Sequence, residues 1–274
     1  MKAQDRIVVA LDVHDPQAAI DLALQLKGQV GGFKVGFELI YAFLALMLRA
    51  GTEGAWALAK LQELFGTIGN EAFLDVKFKD IKNTVAKAVS AIARVKPKML
   101  NVHCDGGFPM MVAAKEALRD FPETKILGVT VLTSLSYEDM EQMGLMPTQP
   151  AILYPEQRHQ KTRRQMEYRV VTLARLAQQA GLDGVIASPK ETVQIRAACG
   201  PDFIIGTPGV RLEGGDEGDQ ARVDTPGKAV LSGADFVVVG RPITEYPREK
   251  GGPVEGARLI AKDIEKAVGQ AATV

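Results

Sequence analysis

The sequence predicts an α/β chain folded as one (β/α)8, or TIM, barrel. Three observations carry that prediction: short β-branched runs alternate with helical patterns from one end to the other, eight such pairs can be placed, and 274 residues suit a single barrel of this kind. One domain over residues 1–274 is therefore expected, with insertions near 39–70 and 141–162.

Taken in order, the polar opening MKAQDR leads into a first strand at 7–11 (IVVAL), followed by a helical pattern at 17–26 and a second strand at 32–35 (GFKV). Residues 38–71 exceed what a minimal crossover needs and are read as two helices. Their longest apolar run, 39–48, falls well short of the roughly 18 residues that cross a bilayer. Bracketed by Glu38 and Arg49, it is read as a buried helix. Strands follow at 72–77 and 99–103, with helices at 81–93 and 109–118, and a fifth strand is placed at 126–131. Residues 141–162, rich in proline and glutamine, are read as a surface insertion; the basic run RHQKTRR at 158–164 reads as a solvated loop and helix start rather than a binding patch. The remaining helices are expected at 164–179, 191–198 and 254–268, and the remaining strands at 184–187, 203–205 and 236–239.

Lysine plus arginine and aspartate plus glutamate number 33 each, so the chain carries no net charge. That balance leaves no electrostatic footprint for nucleic acid or a membrane surface, and a small molecule is the expected partner. Cys104 and Cys199 are too few for a disulfide framework and are read as buried thiols in a reducing compartment. An opening that runs directly into a strand, rather than a signal peptide, points to the cytoplasm.

The chemistry concentrates in FLDVKFKDIKNT, residues 73–84. Side chains alternate faces along a strand, so Leu74, Val76 and Phe78 point one way and Asp75 and Lys77 the other. At the C-terminal end of a barrel strand the charged face meets the mouth, where active sites of this fold are built. Strand one ends in Asp12 and strand two carries Lys34, which brings four charges of alternating sign into one cavity. Ordinary salt bridges are the plain alternative, but buried ion pairs stabilise poorly because desolvation offsets their attraction. The clustering therefore points to function. Flanking carboxylates favour the charged form of Lys77, which suits a proton donor and not a Schiff-base nucleophile. Asp75, set beside a substrate carboxylate, would repel it until carbon dioxide departs, which fits a decarboxylation through a carbanion-like state.

A second region, IGTPGVR at 205–211, is followed after strand eight by Gly240 and Arg241. Barrels commonly hold phosphate with the loops after strands seven and eight. The glycine-rich, acidic stretch 212–222 between them is read as a lid, with Arg211, Gln220 and Arg241 as the phosphate contacts.

These residues together resemble the orotidine 5'-monophosphate decarboxylase family. The family's Asp-x-Lys-x-x-Asp motif stands here as Asp75, Lys77 and Asp80, joined by ALD at 10–12, KVG at 34–36, VLTS at 131–134, TPGVR at 207–211, GDQ at 218–220 and GRP at 240–242. The resemblance implies decarboxylation of orotidine 5'-monophosphate to uridine 5'-monophosphate without metal or organic cofactor. It implies a homodimer with shared sites, in which Lys34, Asp75 and Lys77 of one subunit meet Asp80 of the other. Asp12, Lys34 and the partner's Thr84 would contact the ribose, Thr133 and Ser134 the pyrimidine, and Arg211, Gln220, Gly240 and Arg241 the phosphate or the lid. Lys82 stands where the family usually has proline, and Lys79 where some bacterial members have histidine. The competing readings are a magnesium-dependent phosphosugar decarboxylase using Asp12, Asp75 and Asp80 as ligands, a Schiff-base aldolase, and a non-catalytic phosphate-ligand sensor.

Overall fold

The computed structural model describes residues 1–49, 51–148, 154–212 and 224–271. Eight parallel strands close into a barrel in sequence order: β1 (Ile7–Ala10), β2 (Gly32–Val35), β3 (Ala72–Phe78), β4 (Met99–His103), β5 (Lys125–Val129), β6 (Gly184–Ile186), β7 (Ile204–Thr207) and β8 (Phe236–Val239). Pairing of β1 with β8, Val8 opposite Val238, completes the ring. The helices are α1 (Pro16–Leu26), α2 (Phe37–Met47), α3 (Thr52–Ile68), α4 (Lys82–Ile92), α5 (Phe108–Glu116), α6 (Tyr137–Gln142), α7 (Pro155–Gln179), α8 (Thr192–Cys199), α9 (Pro226–Leu231), α10 (Arg241–Thr244) and α11 (Gly252–Ala271). Among the described residues no helix is long and apolar enough to cross a membrane.

The strands read as continuous apolar runs because both of their faces are covered. In β1, Ile7 and Val9 pack outward against the helices while Val8 and Ala10 point into the barrel. Inside, Val8, Ala10, Phe73, Met99, Leu127, Val129, Ile186, Phe236 and Val238 form a separate cluster. Phe73 and Phe236 meet nearly edge-on, their ring centroids 6.4 Å apart. This plug fills the barrel, so a ligand is received at its rim, and active sites of this fold are built at the C-terminal one. The helices are set by local chemistry: α1 starts where the Asp15 side chain accepts the Gln17 N–H and Pro16 takes the first position, and it buries Ala19, Ile20, Ala23 and Leu26.

Four expectations need correcting, and one helix was not expected at all. Strand five ends at Val129, not 131: Thr130 still donates its N–H to the Ile186 carbonyl, but its hydroxyl donates to the same oxygen, each at 3.1 Å, and the strand goes no further. Strand seven runs on to Thr207 instead of stopping at 205. In the second insertion, α7 begins at Pro155 rather than 164, so the basic run lies on a helix and not in a loop, although its charged residues do stay exposed. Ahead of it, α6 was not anticipated; a reciprocal capping box between Ser136 and Asp139 starts it. Finally, the apolar run 39–48 is helical but not buried. Only Leu39 and Phe43 of α2, which packs on α1 and α3, are fully buried; Ile40 and Met47 are half-buried, while Tyr41 is 59% exposed and Leu48 77%.

Candidate active site

Each of the first three strands delivers charge to the C-terminal rim through its inward face. Asp12 follows β1, Lys34 lies on β2, and Asp75 and Lys77 lie on β3. They form a chain of alternating sign: Lys34 Nζ is 2.7 Å from Asp12 Oδ1 and 3.2 Å from Asp75 Oδ2, and Lys77 Nζ is 2.7 Å from the same Asp75 oxygen. The Phe37 ring lies under Lys77, its centroid 5.6 Å from Nζ. Lys34 and Asp75 are buried, 9% and 8% exposed.

Burial is the largest influence on both groups and by itself would neutralise them. For Lys34 it is overcome by the attraction of Asp75 and Asp12 and by hydrogen bonds to both, which hold its ammonium above the ordinary lysine value. For Asp75 burial is overcome by Lys34 and Lys77, with hydrogen bonds from Lys77 and Asn101, and its carboxyl is held below the usual range. Two charged groups are thereby kept charged out of water. Gly36 leaves the room they need, since a Cβ there would stand 2.8 Å from Lys34 Nζ and 3.3 Å from Asp12 Oδ1.

Lys77 reaches the mouth through a break in the sheet. Between β3 and β4 the pairing passes from Leu74 opposite Leu100 to Phe78 opposite Val102, so β3 carries extra residues there. Lys77 takes a left-handed backbone, φ 41°, a region that non-glycine residues seldom occupy. The ladder bond missing at this point is replaced by a side chain. Asn101 Oδ1 accepts the Lys77 N–H and Asn101 Nδ2 donates to Asp75 Oδ1, both at 2.7 Å. Beyond it, Lys79 Nζ is 2.8 Å from Asp105, and half-buried His103 lies 3.7 Å from the same carboxylate. Burial, above the opposing pull of Asp105, holds the His103 pKa below its ordinary value.

Asp12, Lys34, Asp75 and Lys77 line one side of a cavity of about 650 Å³, within the range of small-molecule sites. Thr133 and Ser134 after β5, Arg211 after β7, and Gly240 with Arg241 after β8 line the rest. Gly209 turns the chain at φ 75°, and the Arg211 N–H is tied to the Asp224 carbonyl at 2.9 Å. Of the expected site residues, Asp12, Lys34, Asp75, Lys77, Thr133, Ser134, Arg211, Gly240 and Arg241 are thus brought together. Asp80 and Thr84 are not. Both are exposed outside this cavity, with Asp80 Oδ1 accepting the neighbouring Ile81 N–H at 2.6 Å. Gln220 and the expected lid beyond Leu212 lie outside the described residues.

Sequence reasoning missed Asn101, Phe37 and Glu38, the last of which also lines the cavity. The first had a signal, a single amide in the otherwise apolar stretch MLNV, but the other two depend on where α2 starts. Among the described residues no cluster of three or more His, Cys, Asp or Glu side chains is arranged to hold a metal ion. The arrangement offers an N–H⁺ donor, a carboxylate fixed beside it and cationic loops on the opposite wall, which together suit proton delivery to an anionic, phosphorylated ligand.

Residues 5–257 match the model of the orotidine 5'-phosphate decarboxylase / HUMPS family. The chain is 43% identical to an orotidine 5'-phosphate decarboxylase of Moorella thermoacetica, over 97% of this chain and 94% of that protein. It is 40% identical to one of Pseudoalteromonas translucida, over 95% and 97%. Among solved structures, the crystal structure of orotidine 5'-phosphate decarboxylase from Lactobacillus acidophilus superposes with a TM-score of 0.68 at 28% identity, covering 94% of this chain and 98% of that one.

Proposed function

The chain belongs to the orotidine 5'-phosphate decarboxylase / HUMPS family, and from that membership we propose that it converts orotidine 5'-monophosphate to uridine 5'-monophosphate and carbon dioxide, with Lys77 as the proton donor. The observation that carries the reading is the alternating chain Asp12, Lys34, Asp75, Lys77 on one wall of a cavity whose other wall holds Arg211 and Arg241.

In this reading Gly240 and Arg241, with Arg211, hold the phosphate, Thr133 and Ser134 meet the pyrimidine, and Asp12 and Lys34 meet the ribose hydroxyls. The substrate carboxylate then lies against Asp75. Their repulsion is present in the bound state and disappears as carbon dioxide leaves, so it lowers the barrier without tightening the product. The electron pair of the broken bond stays on the ring carbon, and the Lys77 ammonium supplies the proton that becomes the new C–H bond. Stabilising that developing anion with a cation fixed in place beforehand is the dominant form of electrostatic catalysis.

We read residues 1–274 as one barrel domain acting as a homodimer in the cytoplasm. Asp80 and Thr84, exposed on the rim beside Ile81, itself 72% exposed, would complete the partner's site; burying that isoleucine would favour the association. Cys104 and Cys199, free and buried, suit a reducing compartment.

The fall in ultraviolet absorbance as orotidine 5'-monophosphate is consumed tests the function. Turnover that survives exhaustive EDTA treatment is expected. Loss of turnover restored by magnesium would support the metal-dependent reading instead, and binding without turnover a sensor.

A further inference from the structure

We infer that Asn101 is a positioning residue for the decarboxylation, holding Asp75 and the Lys77 backbone in the arrangement that aims both charges into the cavity. The inference rests on the function proposed above. Asn101 is fully buried in β4, where it contacts neither solvent nor the cavity, so its purpose must lie in its two partners. Those partners are the two charged residues of β3.

The two hydrogen bonds constrain one another. A backbone N–H can only donate, so the amide oxygen must face Lys77 and the amide nitrogen must face Asp75. An NH2 group aimed at Asp75 Oδ1 requires an acceptor there, which favours the ionised carboxylate over the acid. With Oδ1 engaged, Oδ2 is left to receive Lys77 at 2.7 Å and Lys34 at 3.2 Å. One amide therefore sets the plane of the carboxylate on which both ammonium groups depend.

The same amide holds the backbone. At the register shift between β3 and β4 the Lys77 N–H has no ladder partner, and φ 41° is a conformation that persists only where the surroundings impose it. Asn101 supplies the missing acceptor. Without it, relaxation of Lys77 toward an extended backbone would swing its side chain away from the rim, since side-chain direction follows backbone register.

Steady-state kinetics of the full chain with Asn101→Leu and Asn101→Asp, from about pH 5 to pH 9, test this by the split between kcat and KM and by the pH profile. Asn101→Leu keeps the bulk and removes both bonds; kcat should fall about 10–100-fold with KM changed less than about threefold, as for other groups that orient those touching the reacting centre. Asn101→Asp is nearly isosteric and can imitate the amide only while its carboxyl and Asp75 share one proton. Its rate relative to wild type should be highest in acid and fall as that proton leaves, a trend that a merely structural role would not produce. If thermal melting shows that Asn101→Leu does not fold, the Asn101→Asp profile decides. An Asn101→Leu kcat within about threefold of wild type, or an Asn101→Asp profile parallel to wild type, would overturn the inference while leaving the function standing. A wild-type chain inert toward orotidine 5'-monophosphate would overturn both.

Discussion

Lys77 Nζ lies 2.7 Å from Asp75 Oδ2, an oxygen that also receives Lys34. Two cations therefore share one carboxylate that is 8% exposed, and buried Lys34 depends on it, with Asp12, for compensation of its charge.

Removing that carboxylate should be costly, and in a pH-dependent way. The Asp75 carboxyl is held below its ordinary value near 3.8, so its stabilisation is fully present above that pH and is lost as pH falls through the folded value. Lys34 is held above 10.5, so its contribution is present below that pH and is lost as pH rises through the folded value. Between those limits the pair contributes a constant amount. Asp75→Asn should lose roughly 3 kcal/mol of stability at neutral pH, and the deficit relative to wild type should shrink in acid. Denaturant unfolding at several pH values measures it; a deficit that persists unchanged into acid would refute the assignment.

Gly36 offers a test of spacing that leaves the charges themselves in place. A methyl group there would stand 2.8 Å from Lys34 Nζ, and the flexible amine can move aside only by loosening its contacts with Asp12 and Asp75. Gly36→Ala should therefore fold normally and lose kcat by roughly 100-fold, the effect of a misplacement of about 1 Å passed on to the reacting groups through Asp75. Circular dichroism and kinetics together check this, and full activity would show that the ammonium position is not critical.

On the opposite wall, Arg241 should act through the phosphate. Arg241→Ala should weaken uridine 5'-monophosphate binding roughly 10–100-fold, the equivalent of about 1.5–3 kcal/mol for a charge-assisted bond, and should lower kcat as well because remote contacts help to drive closure. Calorimetry with uridine, which has no phosphate, should show no difference between the variant and wild type. An equal loss for both ligands would place Arg241 elsewhere in the site.

Sharing of sites between subunits is separable from all of this. Lys77→Ala and Asp80→Ala chains, each inactive alone, should recover about half the wild-type rate in an isolated mixed dimer, because one of its two sites then carries neither substitution. Activity after mixing and purifying by two affinity tags checks it. No recovery would assign Asp80 to its own subunit's site.

The strands were legible because both faces of a barrel strand are apolar, which leaves β-branched runs such as VVV at 237–239 unmistakable. Asp75 and Lys77 were legible for the complementary reason: charges interrupt such a run and must face the mouth. Asn101 was not, because a neutral amide in a strand reads as tolerated until its partners across the register shift are known. Nor was the start of α7, where residues 155–163 are almost entirely polar and leave no apolar stripe to betray a helix. The exposed side of α2 was misread for the opposite reason, since an all-apolar run gives no hint of which side stays uncovered.

The role of Lys77 is tested most directly by comparing Lys77→Ala with wild type in single-turnover decarboxylation of orotidine 5'-monophosphate, with uridine 5'-monophosphate affinity measured on the same samples. A positioned proton donor contributes about 10²–10⁴-fold, so the chemical step should slow by at least about 10²-fold while product affinity changes by less than about tenfold. A variant that turns over at near the wild-type rate would contradict the account.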